Sequence, residues 1–233
     1  MVNITKNIEI KDLALYLKKE NTLIISDPQL GYEENLLNKG VLIPFNQLKD
    51  LKERLNKIFK NLKFKNIIIN GDLKHEFGKI SRQEWKEVTE IIEFLSSFCE
   101  KLIIIKGNHD IVLNSITKKN NIEVVENYKI GKTFITHGHK IPEIPKDINT
   151  IIIGHEHPAI SITDGEVKEI YKCYLKCKFK NKTLIVQPSS FLLNEGTDIL
   201  TYDSHSPFIK DFENFEVWIV ADKIYYFGKV KNL

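Results

Sequence analysis

The sequence has little of what marks secreted and disulfide-rich proteins. It contains three cysteines, Cys99, Cys173 and Cys177, an odd number without Cys-x-x-Cys spacing. On one strand Cys173 and Cys177 would face the same side about 13 Å apart, too far for a mutual disulfide. The cysteines therefore argue against a structural zinc site and favour a reduced, intracellular protein.

Long apolar runs and an excess of one charge are also missing. No run approaches the roughly 20 apolar residues that span a bilayer, and charges are scattered through residues 1–20 where a signal peptide would be apolar. We expect a cytoplasmic protein without membrane partners. With 34 basic and 31 acidic residues the net charge is +3, which neither demands nor excludes nucleic acid. At 233 residues, we expect one domain over 1–233.

Five short apolar runs each end in residues that can bind a metal ion or phosphate. A glycine or proline follows each run, together with Asp, Asn or His. Parallel strands bring such ends to one edge of a sheet, where α/β proteins place their sites. The runs and the polar residues after them are 23–26 with Asp27, 67–70 with Asp72, 102–105 with Asn108, His109 and Asp110, 133–136 with His137 and His139, and 151–153 with His155 and His157.

The pattern between these runs predicts an α/β protein. After Pro44, apolar residues from Phe45 to Leu62 recur at helical spacing, and a second helix is predicted to begin at Ser81 and to bury Trp85. Strands that alternate with helices indicate a parallel sheet. Pro28 and Gly31 predict a loop after Asp27. Beyond residue 110 the pattern indicates antiparallel strands, with a hairpin over 171–186 that turns at 181–182 and another over 217–227.

Together the polar residues are typical of a metal site. Oxygen and imidazole donors suit Mn, Fe, Zn, Co or Ni, and two divalent ions bridged by Asp72 would use this many ligands. Taken singly, each residue has an ordinary alternative, since an Asp after a strand often caps a helix and a lone His is often hydrogen-bonded. We interpret His75 and His205 as ordinary hydrogen-bonded histidines, although His75 lies close to Asp72 in sequence.

The ordered motifs resemble those of the calcineurin-like metallophosphoesterases. That family carries D-x-H, G-D, G-N-H-[DE], H and G-H-x-H in this order, and the motifs stand here between residues 22 and 158. The branch of small archaeal and bacterial enzymes related to SbcD and to DNA-ligase-associated phosphoesterases is the most similar. Its Pro-x-Phe stretch has a looser counterpart in residues 187–191. The resemblance implies a two-sheet β-sandwich flanked by helices, α/β/β/α.

The resemblance also implies roles for individual residues. One metal would be held by Asp27, Gln29, Asp72 and His157, and the other by Asp72, Asn108, His137 and His155. His109 would act at the scissile phosphate, with Asp110 orienting its ring. The implied activity is phosphoester hydrolysis by a metal-bridging hydroxide, and we favour a phosphodiester substrate and Mn, with Ni, Fe, Zn, Co or Mg as alternatives. A nucleotide or nucleic acid is a candidate substrate, and a nuclease is one alternative within the enzyme class.

Gln29 departs from the family pattern, which has His at this position. A Gln carbonyl is a neutral and weaker donor, so the first metal would bind more weakly or prefer Mn or Mg. His139 could compensate by turning toward that site. Gln29 also motivates an alternative in which the fold serves as a protein-binding scaffold with little or no catalysis, although Asn108, His109 and Asp110 argue against it. Lysines from Lys172 to Lys182 could form a basic face, or could protect a solvated strand edge.

Overall fold

The first sheet carries the predicted α/β half of the chain. The computed structural model of the protein describes residues 2–44, 46–60, 62–75, 81–109 and 122–233. Strands β4 to β7 are parallel, and an antiparallel meander, β1 to β3, extends the sheet beyond β4. In spatial order the strands are β1 (Val2–Asn3), β2 (Ile8–Lys11), β3 (Ala14–Leu17), β4 (Thr22–Ser26), β5 (Phe64–Asn70), β6 (Cys99–Ile105) and β7 (Glu123–Val125).

Two amphipathic helices cover the outer face of this sheet. Helix α2 (Gln47–Phe59) buries Leu51, Leu55 and Phe59, and α3 (Arg82–Ser96) buries Val88, Ile91, Ile92 and Leu95. Both helices were predicted, but the predicted Phe45 lies outside the described residues and Leu62 lies beyond the end of α2. The apolar faces of these helices form a common core with β4, β5 and β6.

Two local predictions are wrong in this half. The segment after Gly31, predicted as a loop, contains the short helix α1 (Tyr32–Asn38). Trp85 is 40% exposed, because the N-terminal part of α3 contacts the preceding chain through Glu84 and Glu87 instead. Ser81 caps α3 by accepting the Glu84 N–H at 3.0 Å, while the Glu84 carboxylate turns away and accepts the His75 N–H at 3.1 Å.

The second sheet is mixed and contains the predicted hairpins. Strands β9, β10 and β13 are parallel, and β12 pairs antiparallel with β11, β13 and β15. The first hairpin turns at Lys180 and Asn181, one residue earlier than predicted, because Phe179 pairs with Lys182. The strands are β8 (Asn127–Ile130), β9 (Thr133–Thr136), β10 (Thr150–Ile153), β11 (Pro158–Asp164), β12 (Val167–Phe179), β13 (Lys182–Val186), β14 (Thr197–Asp198), β15 (Glu216–Val220) and β16 (Ile224–Lys229).

The two sheets pack face to face, which confirms the predicted sandwich. Ile24, Ile68 and Ile103 of the first sheet share a buried core with Ile135, Ile152 and Ile185 of the second. The outer face of the second sheet is covered by the segment 199–215, which contributes Phe208, Phe212 and Phe215 and has no helix. Cys173 packs in that outer core with Cys177 against it, and all three cysteines are free. No described helix has the length and apolar composition needed to cross a membrane.

Candidate metal centre

The ends of five strands meet at one edge of the sandwich. Asp27, Asp72 and Asn108 follow β4, β5 and β6 of the first sheet, and His137 and His155 follow β9 and β10 of the second. Oxygen ligands therefore come from one sheet and most imidazoles from the other. Packing of the sheets brings these two sets together, because the parallel strands of both end on the same side.

His137 is the point where one group of predicted ligands converges. Its Nε2 atom lies 2.9 Å from Asn108 Oδ1, 3.1 Å from His155 Nδ1 and 3.6 Å from Asp72 Oδ2. Ligand atoms of Asp72, His137 and His155 all lie within 4.8 Å of one another. These four residues are the set predicted for the second metal.

Asp27 connects the ligands predicted for the first metal with the group around His137. Its Oδ2 atom lies 3.6 Å from His157 Nε2 and accepts the His155 N–H at 2.9 Å, while Oδ1 lies 3.2 Å from His137 Nδ1. The carboxylate is fully buried. Asp27 thus contacts ligands of both predicted metals, although Asp72 was predicted to bridge them.

Glycines make this close approach possible. A Cβ atom on Gly71 would lie 1.9 Å from His137 Nδ1, one on Gly107 would lie 2.0 Å from Asp72 Oδ1, and one on Gly154 would lie 2.4 Å from Asp27 Oδ2. Non-bonded carbon atoms pack at about 3.5–4.0 Å, so any side chain at these positions would displace a predicted ligand. Each of the three glycines belongs to a motif found in the sequence.

Several ligand residues adopt a backbone conformation that L-residues rarely take. Positive φ angles occur at Asp27 (47°), Gln29 (46°), His155 (64°) and His157 (47°). Such conformations cost on the order of 1–3 kcal/mol each and cluster at functional sites, where the surrounding structure enforces them. Here they turn side chains from successive positions toward one centre.

Burial sets the protonation state of the centre. It is the main cause that lowers the pKa of His155 and of His157 to about 4, with the charge of His137 adding to the effect at His155. Burial, followed by the nearby Asp27 carboxylate, raises the pKa of Asp72 to about 6. Burial would raise the pKa of Asp27 as well, but His137 and His157 outweigh it and the pKa is lowered. At neutral pH the imidazoles of His155 and His157 are therefore neutral, and both carboxylates are charged, which is the form that binds metal.

These residues fit divalent metal ions. Two buried carboxylates need positive charge close by, and the buried Nε2 atom of His157 has no hydrogen-bond partner among the described residues. A metal ion would supply both needs. The mixture of oxygen and imidazole donors, without thiolate, suits Mn, Fe, Co, Ni or Zn.

Gln29 is held beside this centre by its backbone. Its N–H donates to the carbonyl of Asp72 at 2.9 Å, and its carbonyl accepts from Gln47 Nε2 at 3.4 Å. Within the described part of the chain, the half-buried side chain of Gln29 makes no hydrogen bond. The structure therefore places Gln29 next to Asp27 and Asp72 without fixing its amide by another residue.

His109 lies against the carboxylate of Asp72. Its N–H donates to Asp72 Oδ1 at 3.0 Å, and its Nε2 atom lies 3.7 Å from Asp72 Oδ2. The Nδ1 atom hydrogen-bonds to the carbonyl of His75, which can only accept, so Nδ1 carries a proton. Asp110, predicted to orient the ring, lies outside the described residues, so its role stays a prediction; the carbonyl of His75 is a described partner of the ring.

His139 lies on the side of the centre formed by the second sheet. Its ring centroid is 5.2 Å from that of His137 and 6.1 Å from that of His155. These are the histidines predicted for the second metal, whereas Gln29 was predicted for the first. A turn of His139 toward the first metal stays a prediction.

Glu156 was not predicted, yet it anchors both histidine motifs. Its carboxylate is 1% exposed and accepts hydrogen bonds from Ser204 Oγ (3.0 Å), His205 N (3.2 Å) and Ser206 N (3.0 Å). Ser206 Oγ in turn donates to the carbonyl of Gly138, between His137 and His139, at 2.7 Å. Residues 204–206 therefore tie the two motifs together. His205 contributes to this tie through its backbone.

Residues 187–191 support the loop that carries Asp27. Ser189 Oγ donates to the Asp27 carbonyl at 2.9 Å, and Ser190 donates to the Ser26 carbonyl through both its N–H and its Oγ, each at 2.7 Å. Gln187 Nε2 donates to the carbonyls of Leu13 and Ile24, both at 3.0 Å. The sequence marked this stretch only by its loose resemblance to a family motif.

Comparison with known proteins agrees with this geometry. Residues 21–208 match the family model described as calcineurin-like phosphoesterase. No curated protein matches the chain in sequence. Among solved structures, nuclease MPE from Pseudomonas putida has a TM-score of 0.66 at 16% identity, over 93% of this chain and 92% of that one.

Two further solved structures are less similar. A protein of unknown function from Aquifex aeolicus has a TM-score of 0.38 at 20% identity, over 62% of this chain and 81% of that one. The phosphoesterase Yfce from E. coli has a TM-score of 0.40 at 15% identity, over 86% and 88%. Of these three structures, the Pseudomonas protein has a TM-score above 0.5, and at 16% identity this likeness shows a shared fold alone.

Proposed function

Because this chain belongs to the calcineurin-like phosphoesterase family, we propose that it hydrolyses a phosphodiester at a centre of two divalent metal ions. The observation that carries the proposal is the convergence of Asp72, His137 and His155, from both sheets, within 4.8 Å. Manganese as the native metal, a cytoplasmic location and a single domain over residues 1–233 belong to the same proposal.

We assign the ligands in two overlapping sets. Asn108, His137 and His155 would hold one ion, Asp27, Gln29 and His157 would hold the other, and Asp72 would contribute to both. When bound, the ions lower the pKa of water and neutralise the charge of a phosphate group. Gln29 supplies its set with a neutral oxygen in place of an imidazole, so we expect the set with Asp27 to lose its ion first on chelation.

From its position beside Asp72, we assign His109 the role of proton donor in its doubly protonated form. Because Nδ1–H donates to the His75 carbonyl, we assign the contact with the substrate to Nε2. Its Nε2 atom lies 3.7 Å from Asp72 Oδ2, and a proton on Nε2 can pass to the oxygen that leaves phosphorus. In this role His109 acts through its side chain, while its N–H keeps Asp72 oriented.

The choice of substrate within the phosphoesters rests on similarity. A diester is favoured by the resemblance of the motifs to the branch that contains SbcD. Nucleic acid is the diester we would test first, since the Pseudomonas protein with the same fold is described as a nuclease; that likeness is one of fold alone.

Hydrolysis assays with metal-stripped protein test the proposal. Mn, Ni, Co, Zn and Mg are re-supplied in turn, turnover of bis-p-nitrophenyl phosphate and p-nitrophenyl phosphate is measured, and bound metal is counted. We expect diester turnover with two ions bound. One ion or none, without turnover under every metal, would refute the proposal and favour the scaffold alternative.

The variant His109→Ala separates catalysis from metal binding. Loss of a general acid lowers kcat by about 10²–10⁴-fold. Metal content should stay at the wild-type value, because the contact of residue 109 with Asp72 Oδ1 is made by the backbone. Loss of metal together with activity would instead make His109 a ligand.

A further inference from the structure

Lys172 lies at the same edge of the sandwich as the metal centre. It stands on β12 opposite Ala159, which follows His157 by two residues at the start of β11. Three residues further along β12, Leu175 pairs with Val186, the last residue of β13, whose carboxyl end faces the centre. Lys172 is therefore beyond the end of the parallel strands, beside His157.

The alternation of β12 directs Lys172 toward the space between the sheets. Tyr174 Oη donates to the carbonyl of Asp12 at 2.9 Å, and Lys176 Nζ donates to the carbonyl of Ile4 at 3.2 Å, so both side chains reach the first sheet. Cys173 and Leu175 pack in the outer core. Residues two apart on a strand share a face, and Lys172 is on the face of Tyr174.

The ammonium of Lys172 lacks the partners that its neighbours have. On the same strand, Lys176 Nζ lies 2.6 Å from Glu216 and Lys168 Nζ lies 3.6 Å from Asp198. Lys172 is half-buried, and throughout the described ranges no hydrogen bond or ion pair reaches its Nζ atom. A partly desolvated ammonium gains from an anion, because burying an unpaired charge is costly.

The pKa values of Lys172 and His157 agree with a position of this ammonium near the metal ligands. Burial, followed by the charge of Arg54, lowers the pKa of Lys172 to about 8, while Glu195 and Asp27 act in the opposite direction. In turn the pKa of His157 is lowered chiefly by burial, is raised by Asp27, and is lowered further by the charge of Lys172. The ammonium of Lys172 therefore interacts electrostatically with both Asp27 and His157. Arg54 is engaged by a forked ion pair with Asp12, 2.5 Å and 2.6 Å long, whereas no described residue pairs with the ammonium of Lys172.

We propose that Lys172 binds a non-bridging oxygen of the phosphate group that occupies the metal centre. The inference rests on the proposed function in that a phosphate ester, or its phosphate product, is the ligand. A phosphate oxygen is the anion that could lie between the ammonium and the metal ions without bringing like charges together. Lys172 would then add one charge-assisted hydrogen bond on the side of His157.

Binding of inorganic phosphate to the manganese-loaded protein tests this inference without requiring turnover. Calorimetric titration compares the wild type with Lys172→Met, Lys172→Arg and the control Lys178→Met, which removes the same charge from an exposed position of the same strand. We expect Lys172→Met to weaken phosphate binding about tenfold, the effect of one ionic hydrogen bond. Lys172→Arg should restore most of the affinity, and Lys178→Met should behave as the wild type.

The separate effects on KM and kcat, together with the metal content, test whether Lys172 has only a structural role. In turnover of bis-p-nitrophenyl phosphate, Lys172→Met should raise KM by the same factor with kcat within about threefold, because an interaction shared by ground state and transition state acts on KM. The count of bound manganese should not change. Loss of manganese would show that Lys172 supports His157, and would overturn the inference.

The two proposals fail in different ways. Phosphate binding that is equally tight in Lys172→Met and the wild type overturns the inference and leaves the phosphoesterase function standing. Phosphate binding that depends on Lys172, in a protein that turns over no ester, supports the inference and refutes the function.

Discussion

Gly71→Ala is the substitution that tests most directly how closely the two sheets approach. Gly71 has a φ of +87°, and a Cβ atom there would lie 1.9 Å from His137 Nδ1 and 2.6 Å from His137 Cε1. The ring belongs to the second sheet, whereas Gly71 follows β5 of the first. Alanine at this position must therefore either move His137 or separate the sheets at the metal centre.

The expected cost has two parts. An L-residue in the left-handed region costs about 1–2 kcal/mol, and overpacking a core adds about 1–3 kcal/mol. We expect Gly71→Ala to lower the free energy of unfolding by about 2–5 kcal/mol, the sum of these two ranges. A displaced His137 should also weaken metal binding about 10–100-fold, as changes around a metal site usually do.

Gly40→Ala provides the matched control. Gly40 has nearly the same φ, +81°, and a Cβ atom there would meet nothing within 4 Å. It should lose only the conformational part, about 1–2 kcal/mol, with unchanged metal affinity. Urea unfolding of the metal-free variants and manganese titration measure both effects. Equal losses in the two variants, or intact metal binding in Gly71→Ala, would refute the reasoning from sheet contact.

Two further predictions concern Glu156 and the histidines. Glu156→Gln keeps the shape of the side chain but removes the charge that accepts three hydrogen bonds, so it should lower the free energy of unfolding in urea by about 1–3 kcal/mol and weaken manganese binding. The control Ser204→Ala removes one donor and should lower the free energy of unfolding by no more than about 1 kcal/mol. Equal effects of the two variants would contradict the anchoring role of Glu156. In the metal-free protein the pKa of His155 and of His157 is about 4, below the value of about 6.5 in the unfolded chain. The folded state therefore binds fewer protons, and stability should fall as the pH drops from 6.5 toward 4. Asp72, whose pKa is raised to about 6, acts in the opposite direction. His157→Asn should flatten this pH dependence in urea unfolding, and an unchanged slope would count against a buried neutral imidazole at this position.

The strands that end at the metal centre could be predicted because each has a local signal. Apolar runs that stop at Gly71, Gly107 and Gly154 are short, and the polar residues beside these glycines are of metal-binding types. Spacing alone says nothing about which sheet a run joins. That β9 and β10 lie in a second sheet, opposite β4 and β5, follows from packing between distant segments, and only the family resemblance anticipated it.

Other features have no local signal. The strands of residues 2–17 were not predicted, because they are only two to four residues long and give too short a pattern. Glu156 looked like a spacer between two histidines, since its donors lie about 50 residues later in the chain. Lys172 was one of several lysines on a predicted hairpin, and only the register of β12 against β11 distinguishes it from Lys178.

Asp27 shows why the fold and the metal centre are difficult to separate by mutation. Its carboxylate accepts the His155 N–H and faces His137 and His157, all from the second sheet. Its carbonyl accepts the hydroxyl of Ser189, and its φ of 47° is held by these contacts. Removing this side chain would leave a buried N–H without its acceptor and would allow the strained loop to relax. Loss of metal in an Asp27 variant would therefore reflect the junction of the two sheets as much as metal coordination. A His157 variant tests coordination more directly, because the Nε2 atom of His157 has no hydrogen-bond partner in the described chain.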